Sequence, residues 1–237
     1  MRQRTLTPGK TDARKKFQGF KREDAKVIRR ATVNPSPELV KLQEVYEEYA
    51  EIMDRVPNRR NSRLDDQAEK IAQLALRRLD YSAEIVMDFM ISMPPIIYFT
   101  RFITAMINAA KAMDFRIYTD DVPFKMFGFG RGNTKNIQIV GNVADRAFHE
   151  MKSGLVVIDG DVGRSLGKKM SGGKIIVHGD VEADSIYGLM VSQMEGGEVH
   201  IEGEMTGNKN PRDIRRAIKD TVKHGRVYHR GKLIVDK

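Results

Sequence analysis

Between residues 136 and 205 apolar and polar positions alternate in short runs, each bracketed by glycine, and the runs recur at a nearly constant interval. Three of them read Gly154-Leu-Val-Val-Ile-Asp-Gly160-Asp-Val162, Gly173-Lys-Ile-Ile-Val-His-Gly179-Asp-Val181 and Gly197-Glu-Val-His-Ile-Glu-Gly203-Glu-Met205. The first two begin 19 residues apart and the third follows after 24. Asn136-Ile-Gln-Ile-Val-Gly141-Asn-Val143 is a degenerate copy 19 residues ahead of the first. Met151, Met170 and Met194 each stand three residues before an opening glycine. A fixed period with strand-like content predicts a stacked solenoid.

The register shows which side chains stack. Two and four residues before each closing glycine stand Ile139 and Ile137, Ile158 and Val156, Val177 and Ile175, Ile201 and Val199. Successive strand residues point to opposite faces, so these β-branched columns share the inward face. The column between them, Gln138, Val157, Ile176 and His200, is mixed and fits a partly exposed face. The closing run 231–237 fits the same register, with Leu233 and Val235 inward. Glycine at each corner lets one coil pass close to the next. Equal spacing with matching columns predicts a right-handed parallel β-helix over 115–207 rather than unrelated hairpins.

These units, joined by turns in which a methionine precedes a glycine pair, resemble the glycine-repeat β-helix of the glutamate synthase large subunit's C-terminal domain. They are equally similar to the glycine-repeat subunit of formylmethanofuran dehydrogenase. The resemblance covers about residues 128–207. It implies a fold and no catalytic residue, because the domain is a scaffold in both families. It also implies a rival role for the chain, as a structural subunit of an oxidoreductase or amidotransferase complex.

Ahead of the repeats the period changes to that of helices. Ser36-Pro37 reads as a cap and first turn, followed by a stripe of Leu39, Leu42, Val45, Tyr49, Ile52 and Val56. Residues 65–80 carry Ala68, Ile71, Ala72, Ala75, Leu76 and Leu79 at helical spacing. A third helix is expected over about 82–92, and a fourth from Pro94-Pro95 to near Met113. The four should pack as a bundle covering an end or side of the solenoid, whose terminal coil would otherwise expose backbone. After the repeats, Asn210-Pro211 to His224-Gly225 has cap, first-turn proline and terminal glycine, with Ile214, Ile218 and Val222 along one stripe. The fold class is therefore α+β: a basic arm (1–35), a helical domain (36–114), the β-helix (115–207), and a basic amphipathic helix with a closing strand (208–237).

Charge changes the picture. The net charge of +9 is concentrated at the ends: residues 1–30 carry +8 and residues 208–237 carry +7, leaving −6 between them. Basic ends on an acidic body are suited to a polyanion. The expected phosphate contacts are Lys10, Arg14, Lys15, Lys16, Lys21, Arg22, Lys26, Arg29 and Arg30 in the arm. Those at the other end are Arg212, Arg215, Arg216, Lys219, Lys223, Arg226 and Arg230. Lys125, Phe127, Phe129 and Arg131 alternate basic and aromatic residues as base-stacking surfaces do. The simpler expectation for that segment is a first coil with both phenylalanines facing the core.

No catalytic constellation emerges. The chain has no cysteine, which excludes disulfides and thiolate metal sites. His178 and His200 fall in different repeat columns, and no metal motif is present. Asp161, Asp180 and Glu204 share one repeat position and read as solvated corner residues rather than an acid–base pair. No P-loop, signal peptide or membrane span is legible. The expectation is a cytoplasmic, non-enzymatic protein without cofactor that binds RNA, ribosomal RNA foremost, as a homodimer.

Overall fold

The computed structural model describes residues 35–55, 62–93, 98–122, 124–185 and 188–237. Among the described residues four helices precede the solenoid: α1 Pro37–Asp54, α2 Ser62–Leu76, α3 Ala83–Ser92 and α4 Phe99–Ala109. Ser36 caps α1 as expected, its hydroxyl accepting the Leu39 N–H at 3.2 Å. The buried stripe of α1 is Leu39, Leu42, Tyr46, Tyr49 and Met53. It is thus rotated from the expected one: Val45 is only partly buried and Ile52 lies in solvent, while Val56 is outside the described residues. The rotation places Tyr46 and Tyr49 among Phe89, Phe99 and Phe102, with ring centroids 5.0 to 5.4 Å apart across the helices. Interlocking aromatic edges and faces decide the helix's orientation here over simple apolar count. Ala68 and Ala72 are fully buried, and their small size allows α2 to lie close along α4. The Pro94-Pro95 start of the fourth helix falls outside the described residues.

The solenoid begins one coil earlier than the glycine repeats. Strands β1 Asp114–Tyr118, β2 Asn136–Val140, β3 Leu155–Asp159, β4 Lys174–Val177 and β7 Glu195–Ile201 pair in parallel, in that order. Phe115 and Ile117 of β1 align with Ile137 and Ile139, and the expected inward columns continue through Val199 and Ile201. All of these side chains are buried. The outward middle column departs from expectation. Val157 and Ile176 form a small buried cluster with Leu155, and His200 stacks on Tyr228 with ring centroids 4.3 Å apart.

The last parallel strand is not the one expected. Strand β9, His224–His229, pairs with β7 and places Val227 in the inward column. The run 231–237 instead forms β10, Lys232–Asp236, which returns antiparallel along β9. Val235 is buried, but Leu233 is 48 % exposed. The reversal follows from Arg230 and Gly231, whose φ values of 50° and 73° make the two-residue turn that a twisted hairpin needs.

A second wall is formed by bridges joining Val143, Val162 and Val181, and by β5 (Val181–Ser185) beside β8 (Met205–Gly207) and β6 (Gly188–Leu189). The third wall is built of turns. Gly128, Gly130 and Gly132 have positive φ in its first rung, and among the described residues Arg146, Phe148, Glu150, Ser165, Lys169, Val191 and Gln193 continue it with positive φ. Amides of this wall donate both to the coil above and to the coil below. Thus the Arg146 N–H donates to the Arg164 carbonyl at 2.6 Å, and the Phe148 N–H to the Phe129 carbonyl at 2.7 Å. Left-handed backbone costs an ordinary residue about 1–2 kcal/mol. Gln193 is exposed with φ 60°, so Gln193→Gly should stabilise the protein by about 0.5–1 kcal/mol after glycine's own entropy cost. Thermal unfolding should show a midpoint raised by roughly 2 °C; a lowered midpoint would contradict the strain assigned to this wall.

Both ends of the solenoid are covered. Arg101, Thr104 and Asn108, spaced to lie on one face of α4, meet the first turn rung. Arg101 donates to the Gly128 carbonyl at 3.2 Å, Thr104 accepts the Gly130 N–H at 3.2 Å, and Asn108 donates to the Arg131 carbonyl at 3.1 Å. These side chains replace the backbone partners that another coil would have supplied. At the far end α5, Pro211–Thr221, packs on β8 and β10. Asn210 caps it by accepting the Arg212 and Asp213 N–H groups, each at 3.1 Å. Ile214, Ile218 and Val222 are buried as expected. The expected terminal glycine is not a helix cap: α5 ends at Thr221, and Gly225 belongs to β9.

Candidate nucleic-acid interface

The nine cations named in the arm, from Lys10 to Arg30, lie outside the described residues. The seven at the other end divide into three groups. Lys223, Arg226 and Arg230 follow α5 or sit on β9, next to the acidic outer face of the preceding coil. Lys223 pairs with Glu195 at 2.8 Å, Arg226 with Glu198, and Arg230 with Glu204. Lys223, first by its hydrogen bond and then by its charge, holds the Glu195 carboxyl below the usual range. Burial would raise Glu198, but the His200 hydrogen bond and the Lys174 and Arg226 charges hold it low. The charge of these three cations is thus matched on the body itself.

Arg215 has a different role. Its guanidinium donates to His229 Nδ1 at 3.2 Å, so His229 carries its proton on Nε2 and donates it to the Gly203 carbonyl at 3.0 Å. His229 is 5 % exposed, and burial, followed by the Arg215 and Arg230 charges, keeps it neutral against those contacts that favour protonation. Arg215 therefore fastens α5 to the last coil.

Arg212, Arg216 and Lys219 remain. They are exposed and make no ion pair with a described residue. Their spacing of four and three residues puts them on one stripe of α5, opposite the buried Ile214 and Ile218. Of the seven expected cations, three thus form an exposed stripe without ion pairs to described residues, and four make contacts within the fold.

The corner acids are more than solvated residues. Asn142 Oδ1 accepts the Asp161 N–H at 2.8 Å, Asp161 Oδ1 accepts the Asp180 N–H at 2.8 Å, and Asp180 Oδ1 accepts the Glu204 N–H at 2.7 Å. Each corner side chain satisfies the backbone of the coil above. His178 pairs with Asp159 at 2.5 Å, and His200 with Glu198 at 3.1 Å. Among the described residues no cluster of His, Cys, Asp or Glu has the arrangement of a metal site. None of the described helices is long and apolar enough to cross a membrane.

The expectation for the aromatic segment holds at one ring and fails at the other. Phe129 is fully buried against Phe148, with centroids 5.7 Å apart, while Phe127 points outward beneath Arg146. Arg131 is engaged with Glu150 at 2.8 Å. Comparisons of the chain with protein-family models, with curated proteins and with solved structures find no match.

Proposed function

We propose that this protein is a non-enzymatic RNA-binding protein that grips a large RNA particle, ribosomal RNA foremost, through the cations of its two ends. The observation that supports this reading is the Arg212, Arg216 and Lys219 stripe. It stands without acidic partners among the described residues, while Lys223, Arg226 and Arg230 beyond the helix are each paired with an acid. A rigid solenoid holds that stripe in a fixed direction, and its contacts would be to phosphates, which carry no base information. Recognition by charge and shape is accordingly salt-sensitive.

The test is sedimentation of native lysate through sucrose gradients at low and high salt, paired with titration of purified protein against RNA. Comigration with ribosomal particles at low salt, lost at high salt, is the expected result. Replacing Arg212, Arg216 and Lys219 by Glu should lower the slope of log affinity against log salt by about 2 for a single strand. Migration in a salt-resistant, RNA-free complex would overturn the reading and favour the enzyme-scaffold role implied by the glycine repeats.

A further inference from the structure

A cleft of about 550 Å³ opens where the loop after β1 meets the corners of the next coils, and Lys125, Phe127, Asn142, Asp145 and Arg164 are among its walls. Phe127 is 46 % exposed, the one phenylalanine among the described residues left in solvent. The Arg146 guanidinium lies 5.3 Å from its ring centroid. Full burial of such a ring is worth about 1.5–3 kcal/mol, so its place at the mouth of a polar cleft needs a reason beyond packing.

The cleft carries charges of both signs. Lys125 on its wall is exposed, and the Arg146 guanidinium stands over the Phe127 ring. Asp120 and Asp145 are the acids of the cleft. Asp145 does not stand as an open negative charge: it accepts from Arg164 Nε at 2.8 Å and from the Arg164 N–H at 2.9 Å. Burial would raise its carboxyl, but Arg164 and then Arg146 hold it below the usual range. A flat apolar ring, a guanidinium plane and an exposed lysine together form a seat for a base and its phosphate.

We propose that this cleft holds one nucleotide unit, its base laid against Phe127 and its phosphate facing Lys125. The inference rests on the RNA-binding reading where the unit belongs to a strand, and a free nucleotide offers the same chemistry. The experiment separates the two. Fluorescein-labelled oligoadenylate is titrated by anisotropy, and adenosine monophosphate by calorimetry, against wild type, Phe127→Ala, Phe127→Trp and the Arg212, Arg216 and Lys219 to Glu variant. Thermal unfolding confirms that each variant is folded.

Loss of stacking should weaken oligoadenylate binding by about ten- to a hundred-fold in Phe127→Ala with an unchanged salt slope. Phe127→Trp should restore it, and the helix variant should instead flatten the slope. If Phe127→Ala binds as wild type while the helix variant fails, the cleft assignment falls and the RNA reading stands. If wild type ignores oligoadenylate at low salt but takes the monophosphate in a Phe127-dependent way, the cleft assignment stands for a free nucleotide and the RNA reading falls. If neither probe binds, both fall.

Discussion

Gly154→Ala should destabilise the protein by several kcal/mol, about 2–5, whereas Gly231→Ala should cost only about 1 kcal/mol. Both glycines have positive φ, 89° and 73°, so both substitutions meet the penalty of left-handed backbone. They differ in what surrounds them. A Cβ on Gly154 would lie 2.1 Å from the Lys135 carbonyl oxygen and 2.7 Å from its carbon, while one on Gly231 meets nothing within 4 Å. The Lys135 backbone cannot yield, because its coil is pinned on both sides. The Lys135 ammonium donates to the Ala110 carbonyl at 2.6 Å, and its own carbonyl accepts from Asn133 Nδ2 at 2.8 Å. Overpacking typically adds about 1–3 kcal/mol to the backbone cost. The sum, about 2–5 kcal/mol, is a large part of the total stability of a domain. Urea unfolding of the soluble fraction measures both variants. Equal midpoints for the two would show that coil-to-coil contact is not what requires Gly154.

Acidification from pH 7 to pH 4.5 should destabilise the protein well before its carboxylates titrate, with His149 as the main cause. His149 donates from Nε2 to the Ser165 carbonyl at 2.9 Å. A second proton would have to be carried in a site that is mostly buried. Burial first, and then the Lys168, Arg146 and Arg101 charges, outweigh the favourable Ser165 contact and push its pKa down to about 4. A histidine depressed in the folded state is neutral there while the unfolded chain takes up the proton near pH 6.5. Its contribution is therefore complete above pH 6.5 and is lost as pH falls toward 4, on the order of 3 kcal/mol in all. His200 and His229, also lowered with burial as the first cause, act in the same direction. Asp145, Asp159 and Glu198 are held low as well, so their contributions are lost only at more acid pH. Urea midpoints at pH 7.5, 5.5 and 4.5 give the curve. His149→Gln, which retains an amide donor for Ser165, should flatten it between pH 6.5 and 4.5. An unaltered slope would remove His149 from this role.

Much of the solenoid is legible because its period is written in the chain. The inward columns from Ile137 to Ile201 come directly from alternation and spacing, and they are buried as expected. The methionine that precedes each opening glycine also has a stacking reason. A Cβ on Gly173, Gly197 or Gly225 would lie 2.7, 2.6 or 2.7 Å from the methyl of Met151, Met170 or Met194. Each methionine occupies the space that the next coil's glycine leaves open. The same 19-residue offset joins Phe127 to Arg146, Arg131 to Glu150, Asp145 to Arg164 and Asp159 to His178. Those pairs are present in the sequence, but aligning the apolar columns alone does not bring them out.

The ends are less legible. The run Leu233 to Val235 fits the repeat register as well as Val227 does, and alternation carries no information on strand direction. Direction is decided by the two left-handed residues at Arg230 and Gly231. The facing of α1 likewise depends on where Phe89, Phe99 and Phe102 wait to receive Tyr46 and Tyr49, which a helical wheel does not contain.

By itself the sequence determined the α+β class, the stacked parallel coils, the helical domain before them, and the concentration of positive charge at the two ends. These are local or periodic properties, fixed by alternation, capping residues and composition. Only the tertiary structure decided which cations are engaged within the fold. Lys223, Arg226 and Arg230 face acids on the preceding coil, and Arg215 holds His229, whereas Arg212, Arg216 and Lys219 do not. A charge acts on a ligand according to its neighbours in space, and those neighbours lie 14 to 28 residues away in the chain.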